Sequence, residues 1–368
     1  MKERSYLFDT SKVWLITMVV MLHFLRVGGY FEPGSPDRIL YVVCMSAVME
    51  GFCFVSGFFS KKVDKCRAGA FKMFIVPYLL IMPLMYLDRL LVFGHAHLNY
   101  FVPTHALWYL LVLFAYRFFI KDLIKIPHIL AISVAVYFAA FYAPFLGETL
   151  ALGRIFSFLF FFMLGYYCQW EHIRKIHQLP KVLGALVLAA CVAFSWWYGT
   201  QTTFEIGLLH LKKSCFSYSA GILELTLMRL VLGVLALAWI FAYLNLIPDK
   251  PIGPKKVTRT IGPDGEEIIK TRFLISEIGQ NTMTVYLLHI FLRYVVKGYG
   301  PKVFAHFDML GDLGYYLVIF AMVAICVYVF SRPPVARVYD KIIDFVYEYI
   351  FYRPYCKLRQ RVKRDPQA

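Results

Sequence analysis

Apolar residues run along this chain in blocks broken by short polar and basic stretches. A helix needs roughly 17–25 apolar residues to cross the hydrocarbon core of a bilayer. Ten blocks meet or approach that length: Val13–Phe31, Ile39–Ser60, Phe71–Leu87, Phe101–Ile120, Pro127–Leu146, Ile155–Trp170, Pro180–Tyr198, Ile222–Ile247, Phe273–Val296 and Gly314–Phe330. The pattern predicts an all-α polytopic membrane protein, a bundle of about ten transmembrane helices over residues 1–330, followed by a tail at 331–368. In that tail Arg337, Asp340, Lys341, Asp344 and Glu348 recur at helical spacing, opposite Val335, Val338, Ile342, Phe345, Val346 and Tyr349. Such a two-faced segment reads as a C-terminal interfacial amphipathic helix. The basic residues from Lys357 to Arg364 that follow suit anionic lipid headgroups. The Lys250–Arg272 stretch, with its Pro, Gly and mixed charges, reads as a flexible cytoplasmic connector without chemistry.

Composition agrees with the pattern. Of 368 residues, 60% are hydrophobic and 17% charged, and the mean hydropathy is +0.61. Soluble domains carry about 25% charged residues, so a soluble enzyme is excluded. The net charge of +16 would point to nucleic acid in a soluble protein. Here the basic residues sit between apolar blocks, where they orient the chain, and no nucleic-acid partner is expected. With both termini in the cytoplasm, 29 of the 39 Lys and Arg fall in inner segments or at the inner ends of spans, eight in outer segments or at outer span ends, and two, Arg26 and Arg229, deeper inside spans. The eight cysteines include no CxxC pair and no zinc spacing. His95 and His97, which precede His105, form a His-x-His pair that can bind metal, but no third ligand is obvious, so no metal is expected. The first block is too long for a signal h-region and is read as a retained span.

Ionisable groups inside spans cost about 2.5–3.5 kcal/mol each at mid-bilayer, so each needs a reason. His23 lies ten residues past Val13, about 15 Å along the helix. Arg26 follows on the same face. A neutral imidazole at that depth can take a proton from an attacking hydroxyl, or it can bond a neighbouring helix as packing glue. Glu50 in the second span can orient His23, balance Arg26 or serve as ion-pair glue. In the ninth span Thr282, Tyr286, His289 and Arg293 form a stripe at i, i+4, i+7 and i+11, which reads as a face looking into a cavity. Trp108 and Tyr109 fit either an interfacial aromatic belt or a site wall. Arg154 can hold a substrate or snorkel, and Glu224 and Arg229 are expected to bond other helices. The run from Lys61 to Lys72 is a basic collar at the inner side.

These residues fall into a known order. Asp9-x-x-Lys12 leads to His23. Phe54-x-Ser56-Gly57-Phe58 closes the second span, and Leu107-Trp108-Tyr109-Leu110 lies in the fourth. The ninth carries Gly279-Gln280-Asn281-Thr282-Met283-x-x-Tyr286-Leu287-Leu288-His289. Across nearly its whole length the chain resembles the acyltransferase-three family of integral-membrane O-acyltransferases, most closely the fucose 4-O-acetylase-like branch. The resemblance implies transfer of an acyl group, usually acetyl, from cytoplasmic acyl-CoA to a hydroxyl of an envelope glycan or similar acceptor, in a bacterial plasma membrane. It implies His23 as catalytic base and a basic pair after the second helix as the donor's phosphate site. The chain departs from the usual pair of arginines three apart, since Ala70 stands three residues after Arg67. Lys62 and Lys65 have that spacing, and Lys72 lies beside the third span. Lys12 replaces the first helix's arginine, a point charge in place of a bidentate fork. Some relatives append an extracytoplasmic hydrolase-like domain; none is read here, so transfer is expected to finish within the membrane core.

The expected site therefore comprises His23, Glu50, Tyr286 and His289 for catalysis, with Tyr286 or Asn281 donating to the oxyanion. Lys12, Lys62, Lys65, Arg67 and Lys72 are expected at the acyl-CoA, and Arg26, Trp108, Arg154 and Asn281 at the substrate. The competing class is a transporter or flippase using buried His, Glu and Arg as a pathway. That class commonly carries an internal repeat, and none is evident between Val13–Leu146 and Ile155–Phe330.

Overall fold

The computed structural model describes residues 5–25, 31–46, 48–202, 205–261, 267–305 and 311–364. Seven helical segments are long and apolar enough to cross a membrane: Tyr6–Leu25, Pro36–Phe58, Val63–Phe93, Thr149–Tyr167, Lys181–Thr200, Ile222–Leu246 and Gly311–Phe330. Each falls on an expected span. The helices on the fourth, fifth and ninth expected spans are shorter, more polar or broken. They are Trp108–Leu123 (α6), Ile129–Ala139 (α7), and the pair Leu274–Gln280 (α12) and Thr282–Ala305 (α13).

The first helix, α1, runs Tyr6–Leu25 and so starts a turn or two before the apolar block. Its polar start is tolerated because every charge there has a partner. Asp249 accepts from the Leu7 amide at 2.9 Å, a cap supplied from across the chain. Asp9 accepts from Ser276 at 2.5 Å and pairs with Lys12 at 3.1 Å. The second span comprises α2 (Pro36–Met45) and α3 (Val48–Phe58). The third is one helical run, α4 (Val63–Ala70), a π turn at Phe71–Ile75 and α5 (Val76–Phe93). The π turn lies just before Pro77, whose ring denies a hydrogen bond to the carbonyl four residues back.

Close helix crossings rest on glycine. A Cβ at Gly57 would lie 1.9 Å from the Phe162 carbonyl oxygen, and one at Gly165 would lie 2.0 Å from that of Phe54. These reciprocal contacts seat α3 on α8 (Leu152–Tyr167) backbone to backbone, the small-residue packing favoured where lipid gives no hydrophobic drive. Further along are α9 (Trp170–Gln178), α10 (Lys181–Thr200) and α11 (Ile222–Leu246). Arg229 of α11 donates to Tyr137 O at 2.7 Å and Ser157 Oγ at 2.8 Å, tying α11 to α7 and α8 as expected of interhelical glue.

The stretch read as a flexible connector is instead a β-hairpin. Strands β1 (Lys255–Ile261) and β2 (Glu267–Phe273) pair antiparallel, from Lys255 opposite Phe273 to Ile261 opposite Glu267. Both are rich in Val, Ile and Thr, and the Gly-Pro-Asp-Gly-Glu between them is turn composition. The charges that made the stretch look unstructured interleave with these β-branched residues. After α14 (Gly311–Phe330), the tail forms α15 (Pro333–Val346), a second π turn at Tyr347–Tyr352 and α16 (Arg353–Arg364). Val338, Ile342, Phe345 and Tyr349 stay exposed along it.

Candidate active site

Two histidines from distant helices meet in the interior. His23 Nδ1 lies 3.1 Å from His289 Nε2, with ring centres 4.9 Å apart. Partner chemistry assigns the protons. His289 Nδ1 is 2.9 Å from the Val285 carbonyl, which can only accept, so that nitrogen carries the proton and Nε2 holds a lone pair. His23 Nδ1 sits 2.8 Å from the Val19 carbonyl and beside that lone pair, so it too carries a proton. The Nε2 of His23 is left as a base, and among the described residues it has no hydrogen-bond partner. Arg293 Nε donates to the His23 carbonyl at 3.0 Å, clamping α13 to α1 at this level. His289 and Arg293 are buried, while His23 is half-buried.

Below the pair lies a cavity of about 290 Å³. Lys12 and Arg117 line its mouth with Phe59 and Met73, both about half exposed. Its walls include Ile16, Phe52, Val55, Ser56, Phe74 and Met283, and Tyr109 and Tyr286 close the deep end with ring centres 5.6 Å apart. Tyr286 and Thr282 line the cavity while His289 and Arg293 reach α1, so the ninth-span stripe faces one interior seam. Tyr286 and His289 ring centres are 6.3 Å apart, so one tyrosine separates cavity from histidine pair.

On the outer side Arg154 lies over the Trp108 ring at 4.2 Å and donates to the His210 carbonyl at 3.2 Å. His210 Nε2 lies 2.7 Å from Tyr41 Oη. The outer loop beside them is held by Lys212 and Glu148 at 2.8 Å. Partial burial alone would raise the Glu148 carboxyl, but the bond from Lys212 and the nearby Arg154 and Lys213 outweigh it and hold it below its usual range.

Several expected site residues lie elsewhere. Glu50 is buried, but it faces Cys53 and Arg229 electrostatically, and His23 takes its orientation from Val19 and His289 instead. Asn281 donates to the Ser331 carbonyl at 2.8 Å, capping the break between α12 and α13. The Tyr286 hydroxyl is spent on the Ala106 carbonyl. Arg67 pairs with Asp122 at 3.0 Å and Lys72 with Asp344 at 2.9 Å, so two of the collar's charges are already matched. Lys62 and Lys65 are exposed, and of the five residues expected at the donor only Lys12 lines the cavity. Arg26 lies outside the described residues. Arg117, Tyr41 and His210 were not singled out by the sequence. Arg117 looked like one more inner-side charge, and a loop histidine carries no spacing signal. Among the described residues no three His, Cys, Asp or Glu side chains come together as a metal would need.

A helical membrane bundle with a hydrogen-bonded histidine pair above an interior cavity is the frame of an integral-membrane enzyme. The chain belongs to the acyltransferase-three family, whose model, described as an acyltransferase domain, matches residues 6–332. It is a membrane acyltransferase, and the matched region takes in both histidines and the whole cavity lining. No curated protein and no solved structure matches the chain significantly.

Proposed function

We propose that this protein is an O-acyltransferase of the fucose 4-O-acetylase-like kind, with ten spans and cytoplasmic termini, in a bacterial plasma membrane. It moves an acyl group, acetyl first, from cytoplasmic acyl-CoA to a hydroxyl of an envelope glycan or related acceptor. The observation that carries this reading is the Nε2 of His23, without a hydrogen-bond partner among the described residues and fixed as a base by the chain Val285 O, His289, His23. The donor's arm enters the cavity at its cationic mouth. Its thioester passes the deep end when Tyr286 leaves Ala106. From Ile16 in the cavity wall to His23 is two helical turns, about 10 Å.

The acceptor comes from the outer side, against Arg154 and Trp108. Its hydroxyl gives its proton to His23 Nε2 as its oxygen attacks the thioester carbonyl. Collapse of the tetrahedral intermediate breaks the C–S bond, and the imidazolium returns the proton to the departing thiolate. His289 shares the positive charge while it lasts by accepting from His23 Nδ1. The test is His23→Gln in membranes supplied with acetyl-CoA and candidate envelope glycans. Acceptor-dependent thiol release is expected to fall to background, by about 10²–10⁴-fold; release at the wild-type rate overturns the proposal.

A further inference from the structure

We infer that Arg117 binds the diphosphate of the CoA donor at the cavity mouth, so that the anionic end of the donor is held inside the bundle rather than on the basic collar outside it. This rests on the donor reading above. Among the described residues Arg117 has no carboxylate within ion-pair distance, and its Nε is buried without a hydrogen-bond partner. Its neighbours toward the helix end are differently placed. Lys121, one turn on, pairs with Asp64 at 2.7 Å, and Asp122 pairs with Arg67. Lys12, the other cation on the cavity, is matched by Asp9.

An unmatched guanidinium in a partly buried site is expensive unless an anion joins it. Its planar fork suits two phosphate oxygens, and the Phe74 ring, 5.5 Å from its carbon, holds it toward the cavity. A second orphan lies in the same wall: Ser56, a cavity-lining residue 8% exposed, has a buried hydroxyl with no partner among the described residues. It is a hydrogen-bonding group for the amides of a pantetheine arm. Anchored at Arg117, an extended arm runs past Ser56 along the apolar wall and brings its thioester to Tyr286.

The experiment measures equilibrium binding of CoA, dephospho-CoA and pantetheine to the purified full-length protein in nanodiscs, for wild type, Arg117→Gln and Arg117→Lys. Arg117→Gln is expected to weaken CoA and dephospho-CoA about tenfold or more, the scale of a lost charge-assisted hydrogen bond. Pantetheine, without phosphate, should bind both proteins alike. Arg117→Lys should recover part of the loss, keeping charge but not the fork. An unchanged thermal midpoint without ligand excludes misfolding as the cause. If wild type binds CoA and Arg117→Gln binds it equally, or if pantetheine loses as much as CoA, this inference falls and the donor reading stands. If wild type binds no CoA, both fall.

Discussion

His289 gives His23 a lone pair in place of the carboxylate that often orients a catalytic imidazole. Neutral for neutral is the cheaper choice in a low-dielectric interior, since a buried carboxylate has to be desolvated first. In the proposed mechanism His289 acts through His23 as a positioning residue, and its loss should show in kcat. His289→Ala is expected to lower kcat about 10- to 100-fold, a part of what a positioned base supplies, with KM for acetyl-CoA unchanged. His289→Gln, whose carbonyl oxygen can accept from His23 Nδ1, should keep more activity than the alanine variant. Steady-state kinetics with equal amounts of folded protein checks this; a drop in folded yield with kcat intact would mean a merely structural histidine. The pair was half legible in the sequence. Spacing put His289 on a polar stripe and depth singled out His23, but which helices are neighbours is a tertiary fact. That is why Glu50, at a comparable depth, looked equally apt, although among the described residues the ring of His23 bonds Val19 and His289 instead.

At the scale of elements, apolar run length located the helices well and their ends poorly. The sequence alone hides the α1 start, because Asp9 and Lys12 look like a loop until their own ion pair, the bond from Ser276 and the Asp249 cap on Leu7 are in place. The hairpin was missed because its turn composition and charges outweighed two short β-branched runs. Helix contacts were less legible still. Gly57 was visible in its motif, but its reason, the Phe162 carbonyl oxygen 1.9 Å from any added Cβ, lies on another helix. Gly57→Ala and Gly165→Ala should each force α3 from α8 and cost about 1–3 kcal/mol, as overpacking does. Gly69→Ala is the control, because its added Cβ meets only Met73 Sδ at 3.6 Å. Thermal unfolding in detergent should show lowered midpoints for the first two and none for the third. Equal midpoints for all three would mean that the α3–α8 crossing is looser than the structure has it.

For the whole molecule, the distribution of Lys and Arg makes a prediction that reaches the chemistry. If the basic segments face the cytoplasm, the cavity mouth at Lys12 and Arg117 opens toward the compartment that holds acyl-CoA. Arg154, Trp108 and His210 then open toward the envelope. The cysteines allow this to be read directly, since six of the eight are buried and only Cys168 and Cys356 are partly exposed. In a Cys168→Ser background a membrane-impermeant maleimide should label Cys356 in inside-out vesicles and leave it unlabelled in right-side-out ones until detergent is added. The opposite result would put the cationic mouth outside, where no CoA is available. The histidine pair would then need a donor of different chemistry, even though every distance around it stayed the same.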